Sequence, residues 1–250
     1  MTEIDQEKRD KKYNQWARHY PAIVNLVFPL IVIVYAFFDK INVPNDLAMT
    51  VSRIELITKI ILVFGSVIPA LFFFYVFFIR ELSMHVVERS LDSIFGKKTI
   101  NMLKANNHTF SDERKNKIKE KIKSDFGIDI PAEECKRWLF PSKDDFRIKA
   151  NEAFDRIREN TRQNPILFEY NCVYGFFRNL SGGLLFNLFA LFVILILKIE
   201  FKENLQEIIS CYWYVIPIML LISLVFIRTS GYTYSKRLFI VFLDQEKKEN

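Results

Sequence analysis

The sequence predicts an all-α membrane protein: four transmembrane helices in a 2+2 arrangement, with a helical cytoplasmic domain inserted between spans 2 and 3. Two observations carry most of this. Apolar runs at 21–38, 54–79, 184–199 and 211–227 interrupt an otherwise charged chain. A bilayer core is crossed by a helix of about 20 apolar residues, with a range of roughly 17–25. Each run reaches that length once its flanks are counted. The basic residues then segregate: residues 80–183 hold 20 of the 35 Lys and Arg. The net charge of +6 therefore belongs to the parts outside the membrane.

Taken in chain order, the first element is a polar arm carrying Lys8, Arg9, Lys11, Lys12 and Arg18. It leads into span 1. The apolar core of that span is too long for a cleavable signal, and Tyr35-Ala36-Phe37-Phe38-Asp39 lacks the small-x-small pattern, so a retained anchor is expected. Span 2 continues from Arg80 into an amphipathic helix with Leu82, Val86, Val87, Leu91 and Ile94 near a 3.6 period. Gly96 is its expected C-cap. A short helix is expected at 98–105, then the turn Asn106-Asn107-His108. Ser111 is an N-cap with Asp112 and Glu113 in the first turn, and Gly127 ends the helix that follows. Pro131 suits the first position of a short helix that Pro141 breaks. Two more helices follow at 144–163 and 166–179, the second entering span 3. After span 4, residues 238–243 are the best strand candidate of the chain, although a buried helical tail fits them better.

Positive charge accumulates on the cytoplasmic side of spans. The arm, the middle segment and the tail (Arg228, Lys236, Arg237, Lys247, Lys248) are basic, whereas residues 39–53 and 200–210 carry only Lys40, Arg53 and Lys202. Both termini and the middle segment are thus expected in the cytoplasm. The organisation is 1–79 (arm and spans 1–2), 80–183 (cytoplasmic domain) and 184–250 (spans 3–4 and tail). Trp16, Tyr20, Tyr75 and Trp213 fall near span ends, where amphipathic rings settle.

The chemistry-bearing residues are few. Cys135, Cys172 and Cys211 form neither a disulfide framework nor a metal pattern, and free thiols in a reducing compartment are expected. There is no P-loop and no metal triad, so no cofactor is expected. Arg80 and His85 match Arg-x4-His, which resembles the catalytic motif of HEPN ribonucleases. Arg80 equally suits an interfacial anchor. The densest cluster lies ahead of span 3. Arg158, Arg162 and Arg178, with Asn179, suit a phosphate on a nucleotide or a lipid headgroup. Ion pairs with Glu159 and Glu169 suit the same arginines. Gly182-Gly183 would let helices of neighbouring subunits approach. Inside the spans, Asn25, Ser66 and Asn187 are expected to line a path or to brace helix packing. No carboxylate sits at mid-membrane, which excludes the titratable relay of a proton-coupled transporter.

The segments Trp138-Leu139-Phe140-Pro141-Ser142, Ile157-Arg158-Glu159-Asn160-Thr161-Arg162, Leu167-Phe168-Glu169-Tyr170-Asn171 and Tyr174 through Gly183 resemble a group of poorly characterised bacterial inner-membrane proteins. Similar proteins occur as membrane effectors in anti-phage defence operons. The resemblance implies a protein that gates or disrupts a membrane on a signal. Four spans are too few to enclose a path, so the expected channel is a homo-oligomer in the bilayer. A soluble activator protein or a nucleotide signal is the expected trigger. The alternatives are a membrane-anchored HEPN-like ribonuclease and a non-catalytic scaffold that recruits a soluble partner.

Overall fold

The computed structural model describes residues 3–38, 58, 63–95, 97–131, 145–197 and 203–245. Among these residues every regular element is helical. In order they are α1 (Glu3–Asn14), a π-helical turn (Gln15–His19), α2 (Tyr20–Phe38), a second π-helical turn (Val63–Val67), α3 (Ile68–Leu82), a third π-helical turn (Ser83–Glu88), α4 (Arg89–Phe95), α5 (Lys98–Met102), α6 (Asp112–Phe126), α7 (Asp145–Asn160), α8 (Pro165–Ile196) and α9 (Glu203–Asp244). Four helical stretches are long and apolar enough to cross a membrane: Asp5–Ile33, Gly65–Met102, Pro165–Ile196 and Leu205–Asp244. The described elements are thus all helical, with four helices of the length and apolarity that a bilayer core requires. The expected C-cap Gly96, Cys135, the helix expected from Pro131 to Pro141, and the start at Asp144 lie outside the described residues, although Pro131 itself is non-helical.

The chain divides into two compact units, Met1–Glu88 with Gly175–Ile227, and Arg89–Tyr174 with Arg228–Asn250. The first is the membrane unit. Its interior holds two apolar clusters: Phe28 with Leu184, Leu191, Leu205 and Ile216, and Ala22 and Leu26 with Val76 and Ile79. Its outer faces are also apolar: Phe73, Phe77, Leu195, Tyr214, Leu221 and Val225 are all more than half exposed. A helix that is apolar all round is what a lipid solvent demands.

The second unit has an apolar core of its own. Ile118 and Ile122 of α6, Ala153 and Ile157 of α7, and Leu238 and Phe242 of α9 are fully buried together. The sequence signals for α6 act as expected. The Ser111 hydroxyl accepts from the Arg114 N–H at 3.3 Å, and Gly127 closes the helix at φ 70° with its N–H on the Lys123 carbonyl. Lys115 is buried, its ammonium donating to the Ala105 carbonyl and to Asp112 at 3.1 Å each. α5 stops at Met102, short of the expected 105. α7 ends at Asn160, because the next helix needs its own start: the Asn164 side chain accepts from the N–H groups of Ile166 and Leu167, with Pro165 at the first position. The strand candidate at 238–243 is helix; Leu238, Phe239 and Phe242 all face the core on a helical period.

Candidate functional site

The membrane unit contains a belt of buried polar side chains, and α8 is its hub. The belt originates in two prolines. Pro21 and Pro29 have no N–H to offer the carbonyls four residues back, those of Ala17 and Asn25. Buried away from water, such a carbonyl must find another donor. Two asparagines of α8 supply it: the Asn179 amide donates to the Ala17 carbonyl, and the Asn187 amide donates to the Asn25 carbonyl at 2.9 Å. The proline pair and the asparagine pair share one spacing, so a single register satisfies both.

The remaining bonds knit in the other helices. The Asn25 amide donates to the Pro21 carbonyl at 2.9 Å and to the Leu180 carbonyl of α8 at 3.3 Å. The Tyr75 hydroxyl of α3 donates to the Asn187 side-chain oxygen. Ser181 of α8 and Ser223 of α9 share a bond of 2.7 Å. Asn25, Asn179, Asn187, Ser181 and Ser223 are all buried. Interhelical hydrogen bonds in membranes average ~0.6 kcal/mol and reach ~1.7 kcal/mol. Five of them contribute on the order of 3 kcal/mol, which is the scale of a conformational equilibrium. The belt is not fully satisfied: the side-chain oxygens of Asn25 and Asn179 are buried without a hydrogen-bond partner.

Gly182 and Gly183 set how closely the helices meet. A Cβ on Gly183 would collide with the Asn25 amide, and one on Gly182 would lie 2.9 Å from the Ser83 Cβ and 3.2 Å from the Ile79 carbonyl. Gly175 likewise meets Ala17 and the Tyr13 ring. The close approach expected at Gly182-Gly183 is made here between helices of one chain. Both glycines are buried against helices of their own chain, because only a residue without a side chain lets the Asn25 amide reach α8. Ser66 is exposed, on the second π-helical turn, away from the belt.

The residues of the expected arginine cluster divide between the two units. Arg158 and Arg162 are exposed residues of the second unit, and Arg178 belongs to the membrane unit. There it pairs with Glu88 at 3.4 Å, and its side chain is only 13% exposed. Arg80 and His85 flank one carboxylate, Glu81, at 3.9 and 3.6 Å. That acid lies between the two halves of the nuclease-like motif, and His85 is largely exposed. Among the described residues no group of His, Cys, Asp and Glu is placed to hold a metal ion. No protein family, curated protein or solved structure matches the chain.

The sequence singles out Asn25, Asn187, Asn179 and Tyr75 one by one, but not the network that joins them with Ser181 and Ser223. The usable signal was the matched eight-residue spacing of Pro21/Pro29 and Asn179/Asn187.

Proposed function

We propose that this protein is a gated, oligomeric membrane effector, an ion channel or permeabilising protein of the bacterial inner membrane, and that the polar belt is its closed-state lock. The observation that carries the reading is the half-satisfied belt. Structural hydrogen bonds alone do not require buried amide oxygens to go unpartnered, which costs about 1–3 kcal/mol each. A closed state that holds such groups is poised to exchange with one that wets them. Within one chain the belt is buried and packed, so the path forms between chains, through faces that are apolar until opening brings the amides to them. Hydrophobic constrictions of that kind gate by dewetting.

The pairings inside the membrane unit support the 2+2 topology. Residues 17 and 25 meet 179 and 187 in the same order, so spans 1 and 3 run in parallel. Tyr75 meets Asn187 while Glu88 meets Arg178, so span 2 runs against span 3. Phe177 stacks on Phe226 while Phe192 meets Trp213, so span 4 does too. On this reading the bias of Lys and Arg makes both termini and residues 80–183 cytoplasmic, where a soluble activator protein or a nucleotide is the trigger. A role in anti-phage defence follows from the sequence resemblance alone.

The test is release of a self-quenched dye from vesicles carrying the full chain. Asn187→Leu removes two belt bonds and should release dye several-fold faster than wild type. If neither protein exceeds empty vesicles, the permeability reading falls. Light scattering of the detergent complex should report several chains; a monomer would exclude the pore. A Cys at position 111 should resist labelling in intact cells.

A further inference from the structure

The membrane unit brings together three arginines that the sequence does not group: Arg18, Arg80 and Arg178. The belt is what positions them. Asn179 bonds the Ala17 carbonyl, which sets its neighbour Arg178 beside Ala17's neighbour Arg18. Ile79 abuts α8 at Gly182, which sets Arg80 about one turn from Arg178. The charges of Arg80 and Arg178 both act on Arg18. Two π-helical turns lie at this level, Gln15–His19 holding Arg18 and Ser83–Glu88 holding Glu88. Such turns re-aim side chains and gather at functional sites.

The acids nearby do not balance the cluster evenly. Glu88 answers Arg178 and Glu81 answers Arg80 and His85. Asp10 also acts on Arg18, but it is exposed. The Arg18 guanidinium lies over the Tyr13 ring at 5.9 Å, and its Nε is buried with no hydrogen-bond partner. A buried guanidinium N–H with no acceptor is costly to leave unmade. Trp16 and Tyr20, edge to face at 5.2 Å and substantially exposed, flank Arg18 on its own helix. Rings of this type mark headgroup depth.

We propose that Arg18, with Arg80 and Arg178 beside it, forms a phosphate-binding site at the membrane surface of the bundle. Planar guanidinium forks match phosphate oxygens, and such charge-assisted bonds are the strong ones. The depth set by Trp16 and Tyr20 favours the phosphate of an anionic lipid headgroup; free phosphate presents the same chemistry. The site rests on the membrane reading and not on conduction, so a protein that never leaks still tests it.

The experiment uses the full chain in phosphatidylcholine nanodiscs, with thermal unfolding followed as phosphatidylglycerol is added, or as inorganic phosphate is added without it. Phosphatidylglycerol should raise the unfolding midpoint. Arg18→Gln should raise the amount of lipid needed for half the effect about tenfold, as loss of one charge-assisted contact implies. Arg80→Gln, at a more exposed position, should shift it in the same direction even if Arg18→Gln fails to fold. Arg158→Gln should behave as wild type. If inorganic phosphate alone reproduces the effect with the same Arg18 and Arg80 dependence, the site takes free phosphate. If Arg80→Gln and every folded Arg18 variant respond like wild type, or Arg158→Gln loses as much as they do, the site does not exist.

Discussion

Replacing Asn187 with Leu should destabilise the membrane unit by about 3 kcal/mol, and part of that cost should depend on Pro29. The side chain makes two belt bonds, donating to the Asn25 carbonyl at 2.9 Å and accepting from Tyr75. At ~0.6 kcal/mol each on average these account for roughly 1 kcal/mol. The remainder is the penalty for two buried groups left without partners, at least about 2 kcal/mol together. One of those groups, the Asn25 carbonyl, needs an outside donor because Pro29 has no N–H. Pro29→Ala restores a donor within the helix. In that background Asn187→Leu should therefore cost about 1 kcal/mol less than in wild type. A double-mutant cycle of unfolding in SDS–lipid micelles measures this coupling. Strict additivity, within about 0.3–0.5 kcal/mol, would show that Asn187 does not serve the carbonyl that Pro29 strands.

Gly183→Ala should destabilise by about 1–3 kcal/mol through overpacking against the Asn25 amide, and Asn25→Ala should relieve part of it; equal losses in both backgrounds would rule out that contact. In the second unit, Gly127→Ala should cost about 1 kcal/mol in chemical denaturation, because the left-handed φ of 70° strains a residue with a Cβ. Lys117, 2.6 Å from Glu113, holds the Glu113 carboxyl below the usual range and has its own ammonium raised by the same pair. The sign follows: the Glu113 contribution is present above the ordinary glutamate pKa and fades as pH falls through its lowered value, while that of Lys117 is present below the ordinary lysine pKa and fades as pH rises through its raised one. Lys117→Met should return the Glu113 titration, followed by NMR, to the ordinary glutamate range; an unmoved titration would rule out the pair.

The helical class and four of the membrane-crossing elements were legible because apolar length is a direct reading of lipid as solvent. Ser111 and Gly127 were legible because caps act locally. What escaped were relations between distant positions. Arg158, Arg162 and Arg178 are close in sequence yet fall in two units, since a helix as long as α8 carries neighbours away from one another. Arg18 and Arg80 join Arg178 only through the packing of three elements. The π-helical turns leave no composition signal. The tail was legible as helix, but its place in the core beside Ile118 and Ile157 depends on α6 and α7 together.

The central claim is that the belt must open for the membrane to become permeable. Ser181 and Ser223, whose hydroxyls lie 2.7 Å apart, allow it to be locked. In a chain freed of Cys135, Cys172 and Cys211 and carrying Asn187→Leu, Ser181→Cys with Ser223→Cys should join α8 to α9 on oxidation. Dye release from vesicles should then stop when the pair is oxidised and return on reduction. Release at the same rate in both states would contradict the account.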